Sequence, residues 1–305
     1  MDDRRKAMIG TGVVFGIAAL VGCSSAMTGG DATGGGEGAA AAPTTVVLDT
    51  VFVEETTTTS TTTTTTAPPT TVVETTAPPA TLPDTIRTLA PIEAPFQAIG
   101  TSSGGEAARI QERLLELGFW LQGTDGDFGL TTRQAVMAFQ KYMGFDDPNG
   151  SVDEQTAEAL SLETVRPHAR ANSGTLVEVD KGKQLLFFVI DGMTEWVLNT
   201  STGNGESYTE EDQNTPGEII SGVSLTPSGL HEVNRERAEG WWEGDLGQIY
   251  RPKYFVGGVA VHGSSSIPNY PASHGCVRVS VPAMDWIWES GIMPIDTSVW
   301  VHDGA

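Results

Sequence analysis

The stretch VAVHGSSSIPNYPASHGCVRVS (259–280) decides how the rest of the chain is read. VAVH (259–262) reads as a strand ending at His262, and HGCVRVS (274–280) as another. Side chains alternate faces along a strand. His274, Cys276 and Arg278 then share one face, while Val277 and Val279 point to an apolar side. If the two strands are neighbours, His262 reaches the same place. A cysteine nucleophile works as its thiolate, whose free pKa of about 8.5 falls beside a positive charge. His262 or His274 supplies a base, and Arg278 adds positive potential. Gly275 permits close backbone approach, which suits an oxyanion site built from main-chain N–H groups. Two other readings stay open here. One is a buried structural thiol among hydrogen-bonded histidines. The other is zinc on His262, His274 and Cys276, although their spacing fits no common zinc signature and Arg278 opposes a cation.

The chain holds one other cysteine, Cys23. Arg4, Arg5 and Lys6 precede a largely apolar run, Met8–Gly22, shorter than the roughly 20 residues of a membrane span and suited to an export signal. The run ends in Leu20-Val21-Gly22-Cys23-Ser24-Ser25, which resembles the bacterial lipobox. That resemblance implies a lipidated Cys23, a signal over 1–23 and an exported protein lipid-anchored at the cell membrane, facing the cell wall. Each buried methylene of a lipid contributes about 0.8 kcal/mol to anchoring. Two cysteines in an exported protein would by default pair. Acylation of Cys23 removes that partner and leaves Cys276 a lone thiol.

Composition narrows the partners. The formal charge is −22, and nucleic acid is not expected, since phosphate binding wants a basic patch. Residues 24–102 are Gly-, then Thr- and Pro-rich, too poor in apolar groups to offset the entropy of ordering. They read as a disordered tether, reaching about 50 Å as a coil and on the order of 200 Å where extended.

Helical periodicity begins in EAARIQERLLELGFW (106–120), with Ile110, Leu114 and Leu117 on one face and Gly118 as the stop. In the next helix Thr131 with Gln134 reads as a capping box, and Val136, Phe139 and Met143 as the apolar face. A third helix fits 153–160. Asp125-Gly126-Asp127 is not a calcium loop, because the twelfth position, Val136, is not acidic. Gln111, Leu114, Leu117, Gly118 and Phe119, followed by Asp125, Gly126, Phe128, Gly129, Thr132, Ala135, Val136, Phe139 and Gln140, resemble the small three-helix peptidoglycan-binding domain over 103–162. One departure is the turn before the third helix, Asn149 to Thr156, where the family's glycine near Asp153 is absent.

After a connector the period changes to two. TLVEVD (175–180), the continuous run LLFFVI (185–190), an Asp191-Gly192 turn and EWVLNTSTG (195–203) read as strands. A late helix opens at Pro282 and closes at Gly291, with Met284, Ile287 and Trp288 as its apolar face. Residues 173–303 thus form a mostly-β domain. His262-Gly263, then Ser273-His274-Gly275-Cys276-Val277-Arg278, resemble the L,D-transpeptidase catalytic domain of the YkuD-like fold. Ser201-Thr202-Gly203 and Thr226-Pro227-Ser228-Gly229 agree with it.

The resemblance implies a peptidoglycan enzyme that needs no cofactor or metal and acts on stem peptides. Cys276 would be the nucleophile, His262 the base, and the Gly263 carbonyl its orienter. His274 and the N–H groups of Gly275 and Cys276 would support the oxyanion, with Ser273 and Arg278 contacting substrate. The product would be a cross-link between third-position diamino acids. The alternatives are an L,D-carboxypeptidase that uses water and a non-catalytic wall-binding lipoprotein. His231 lies outside the motif and reads as structural.

Overall fold

A helix with an apolar stripe needs a partner. The first one, α1 (Gly105–Leu117), meets α2 (Leu130–Met143) and α3 (Glu154–Leu162). The computed structural model describes residues 87–304, all within the unit Glu74–Ala305. The expected signal, Cys23 and the tether up to residue 86 lie outside the described residues. Ile110, Leu114 and Leu117 are buried in α1 as their spacing predicts. Gly118 stops the helix with φ 90° and a Schellman pair of bonds, Gly118 N–H to Leu115 O and Phe119 N–H to Leu114 O.

Two buried glutamines organise the turns between these helices. The Gln111 side chain accepts from Gly126 N–H and donates to Asp127 O and Thr132 Oγ1. Gln140 repeats the arrangement, accepting from Gly150 N–H and donating to Ser151 O and Thr156 Oγ1. The turn that departs from the family pattern is therefore closed by Asn149-Gly150. Asp153 caps α3, accepting from Thr156 N–H at 2.8 Å. Asp125 accepts from Asp127 N–H and from Gln111, an Asx turn.

Three expectations change. The cap of α2 is Gly129, without a side-chain bond, so Thr131 and Gln134 form no capping box. Gln134 is instead drawn to the β domain. Met143 is 37% exposed rather than on the buried face. Residues 87–102, read as the end of the tether, pack on the helices: Phe96 is buried, with Leu89 and Ile92 against the same core. Arg87 pairs with Glu195 at 2.6 Å.

The β domain begins with β1 (Leu176–Asp180), β2 (Leu185–Ile190) and β3 (Met193–Asn199). Asp191 and Gly192 both have positive φ, as a two-residue hairpin of this hand requires. There follow β4 (Ser207–Glu211), β5 (Ile219–Val223), β6 (Gly229–Glu232), β7 (Arg235–Glu236), β8 (Trp241–Gly244), β9 (Gly247–Val256), β10 (Val259–Ser264) and β11 (Val277–Ser280). Helix α4 (Val281–Ser290) and β12 (Ser298–His302) complete the chain. One sheet has the order β3-β2-β1-β12-β6 and the second β11-β10-β9-β7, with β8 on β9; β4 and β5 form a separate hairpin. Helix α4 starts as read, with the Ser280 hydroxyl accepting from Ala283 N–H and Gly291 as its left-handed cap.

The continuous apolar run of β2 has a structural cause. Leu185, Phe187 and Val189 face the helices, packing with Ile110, Leu114, Phe119 and Phe139. Leu186 and Phe188 face the second sheet and α4, with Val261, Val277, Met284 and Ile287. A strand covered on both faces has no polar side to show. Each such side chain contributes about 1.5–3 kcal/mol when fully buried. The helical segment also continues the sheet edge: Val197 N–H donates to Gly118 O, and Trp120 N–H to Val197 O. Trp120 then packs on Trp286 of α4, with ring centroids 5.3 Å apart.

Candidate active site

The floor of the site is the parallel pair β10–β11, in which His262 lies opposite Arg278 and Val261 opposite Val277. The valines enter the core, so His262 and Arg278 turn to the other side. His262 is only 3% exposed. Its Nδ1 is 2.8 Å from the Gly263 carbonyl. That acceptor requires the proton on Nδ1 and leaves the Nε2 lone pair open. Gly263 also has no room for a side chain, since a Cβ would lie 2.9 Å from the Tyr250 ring.

Strand β11 begins only at Val277, so strand parity does not place His274 and Cys276 as expected. Gly275, at φ 134°, turns the chain, and a Cβ there would meet the Leu225 carbonyl. The cysteine therefore sits on a bend. His262, Ser273, His274, Cys276 and Arg278 still line one cavity of about 320 Å³, together with Tyr208, Gly258, Val259 and the 244–249 turn. Cys276 is a free thiol, its sulfur 3.8 Å from Gly258 O.

The bend is held from behind. Ser273 Oγ donates to the Cys276 carbonyl and accepts from Gly275 N–H at 3.1 Å. Ser273 thus staples the turn while lining the cavity, and the Gly275 N–H expected to support an oxyanion is engaged by that hydroxyl. Thr226 Oγ1 donates to Gly275 O at 2.6 Å and accepts from Gly203 N–H. This gives the Ser201-Thr202-Gly203 and Thr226 motifs their physical role: they are the frame of the cysteine turn.

His274 points at the β4–β5 hairpin, with its Nε2 2.9 Å from Glu210 Oε1 and its ring edge-on to Tyr208 at 5.1 Å. Sequence reasoning missed Tyr208 and Glu210. They lie more than 60 residues from His274, on a strand whose pattern signals only exposure. His231, read as structural, donates to or accepts from nothing in the cavity; its Nε2–H meets Pro227 O at 3.0 Å.

Burial sets the resting protonation states of the pair. Burial lowers the His262 pKa to about 4; the Gly263 carbonyl opposes this and Arg278 adds to it. Burial pushes the Cys276 thiol up, against Arg278 and the Ala260 N–H, which pull it down. At neutral pH the resting pair is thus a thiol and a neutral imidazole that line the same cavity. Among the described residues no group of three or more His, Cys, Asp or Glu side chains is arranged to hold a metal ion.

The family model of the L,D-transpeptidase catalytic domain matches residues 174–301, and that of a peptidoglycan binding domain matches residues 103–160. The solved L,D-transpeptidase (residues 123–326) from Xylanimonas cellulosilytica DSM 15894 is 45% identical, with a TM-score of 0.60, over 70% of this chain and 100% of that one. The L,D-transpeptidase (Yku) from Stackebrandtia nassauensis is 19% identical, with a TM-score of 0.38, over 69% of this chain and 98% of that one. No curated protein matches the chain. A cysteine turn framed by two distant motifs, a buried neutral histidine beside it and 45% identity to a solved relative covered end to end together place this chain in the L,D-transpeptidase family.

Proposed function

We propose that the protein is a peptidoglycan L,D-transpeptidase that joins the third-position diamino acids of two stem peptides through a Cys276 thioester. The observation that carries this reading is the shared cavity of Cys276 and His262, with the His262 tautomer set by Gly263. As Cys276 sulfur attacks the peptide carbonyl before D-alanine, its proton passes to His262 Nε2. The C–N bond then breaks, and His262 returns the proton to the departing D-alanine amine. A thioester remains. An acceptor amine attacks it, losing a proton to His262, and the C–S bond breaks to regenerate the thiol. The Cys276 N–H is the main-chain donor proposed for the oxyanion. His274, its Nε2 engaged by Glu210, meets substrate at the rim of the cavity, and Arg278 positions substrate and thiol.

The test is incubation of the full chain with tetrapeptide stems, with products read by mass. Cross-linked dimers that disappear with Cys276→Ala support the proposal, and dimers that persist sink it. Free tripeptide alone would instead make the enzyme a carboxypeptidase.

The same proposal places the protein on the outer face of a membrane, held by lipidated Cys23 and a tether. The Leu20–Cys23 stretch and the Gly/Thr/Pro composition support it. Metabolic labelling with a fatty acid tests it, since label that survives Cys23→Ser would refute lipidation there.

A further inference from the structure

Helix α2 sends two polar side chains across the interface, and both end on the segment behind the active site. Lys141 is 6% exposed, and its Nζ donates to the carbonyls of Gln184 at 3.2 Å and Thr200 at 3.1 Å. Gln134 accepts from Asn199 Nδ2 at 2.6 Å and donates to Ile267 O at 3.3 Å. The segment Asn199–Gly203 is bonded on its other side to the cysteine region. Thr200 Oγ1 donates to Arg278 O, Ser201 and Arg278 exchange both main-chain bonds, and Ser201 Oγ donates to Tyr270 O. Thr202 O accepts from Ala272 and Ser273 N–H. The path from α2 to the Cys276 turn is therefore two hydrogen bonds long.

Resting on the cysteine mechanism above, we propose that Lys141 and Gln134 are positioning residues for the chemistry at Cys276. They grip the back of Asn199–Gly203, the segment from which the cysteine turn hangs. The helical segment is then a structural part of the catalytic unit, not only a separately acting binding module.

The composition of the contact argues for this. A buried amine is costly to desolvate, and an aliphatic side chain of similar length would fill the space without that cost. Burial lowers the Lys141 pKa to about 7, with no carboxylate opposing the shift. What the amine adds is direction: the carbonyls of Gln184, just before β2, and Thr200, just after β3, are held at one point. The shared core adds the rigidity that makes such positioning effective, since Phe119 and Phe139 pack directly on Leu185, Phe187 and Val197.

The experiment is single-turnover acylation of the full chain by a carbapenem, followed by intact mass, in wild type, Lys141→Met, Gln134→Ala and Leu114→Ala. Leu114 lies in the same core away from the 199–203 segment, so its variant reports destabilisation alone. Unfolded protein lowers the final adduct fraction, whereas a displaced turn lowers the rate at full adduct fraction. Lys141→Met and Gln134→Ala are expected to acylate about tenfold to a hundredfold more slowly, with full final adduct, while Leu114→Ala keeps the wild-type rate. Wild-type rates in both interface variants would overturn the proposal, as would equal slowing in Leu114→Ala. If Lys141→Met does not fold, the rate of Gln134→Ala decides. A wild type that forms no adduct at Cys276 would instead sink the cysteine mechanism.

Discussion

The floor and the roof of the cavity are built on opposite principles. The floor is a parallel strand pair whose neighbours are core valines, and its histidine is 3% exposed. The roof includes the β4–β5 hairpin, which belongs to neither main sheet and is almost wholly exposed. Its carboxylate, Glu210, and the His274 it holds have side chains 45% and 30% exposed. The hairpin is tied to the 244–249 turn by Gln213 N–H to Asp245 O and by Asn214 to Asp245 Oδ1 at 2.7 Å. A proton-transfer pair needs fixed geometry and low dielectric, which a core supplies. Groups that meet a polymer substrate need access, which a core denies.

The largest expected effect breaks the floor. His262→Ala removes the proposed base, and acylation by a carbapenem should slow by about 10² to 10⁴; a rate within a few-fold of wild type would mean that another group takes the thiol proton. Next is the staple between floor and turn. Ser273→Ala loses the bonds to Cys276 O and Gly275 N–H, and the rate should fall by about tenfold to a hundredfold. An unchanged acylation rate would mean that the turn holds without the Ser273 staple.

A pH profile sharpens the same contrast. The folded His262 titrates near 4, so acylation should stay supported by a neutral imidazole well below pH 6 and fail as pH drops through about 4. An acid limb near 6.5 would show an exposed imidazole. The unfolded histidine has a pKa of about 6.5, so the unfolded chain binds more protons between the two values. Stability is therefore fully present above 6.5 and falls with pH through 4, by up to about 3 kcal/mol from this group. Urea melts of wild type and His262→Gln across that range would isolate it.

The smallest effect belongs to the roof. Glu210→Gln leaves His274 facing an amide. Because an exposed pair contributes only about 0–1 kcal/mol, the melting temperature should hardly move. Acylation should slow several-fold, with the loss larger for a stem peptide than for a small β-lactam. Equal losses on both substrates would mean that the hairpin serves the chemistry rather than substrate access.

How far the sequence could be read depended on whether a residue's partner was near in the chain. The stripe of α1, the Pro282 opening and Gly291 stop of α4 and the Asp191-Gly192 turn are local, and all three stand as read. The two strands under the site were legible, but the second was read too long, because a glycine that permits φ 134° was weighed as close approach rather than as a bend. Thr131 and Gln134 had the letters of a capping box, yet Gln134 reaches Asn199 and Ile267. A side chain with distant partners cannot be told from a local cap by spacing alone.

Covalent order and local sterics were enough to gather a thiol, two imidazoles and a guanidinium around glycines that a tight turn requires, and the family resemblance supplied the chemistry expected of them. Only the tertiary structure decided their states and supports. Burial, a property of the whole packed core, made His262 neutral and Cys276 a thiol instead of an ion pair. The frame of the cysteine turn came from Thr226 and the 201–203 segment, the partner of His274 from an exposed hairpin, and the second cover of β2 from helices that sequence reasoning had set apart. Desolvation and long-range hydrogen bonds depend on which surfaces meet, and spacing along a chain does not contain that information.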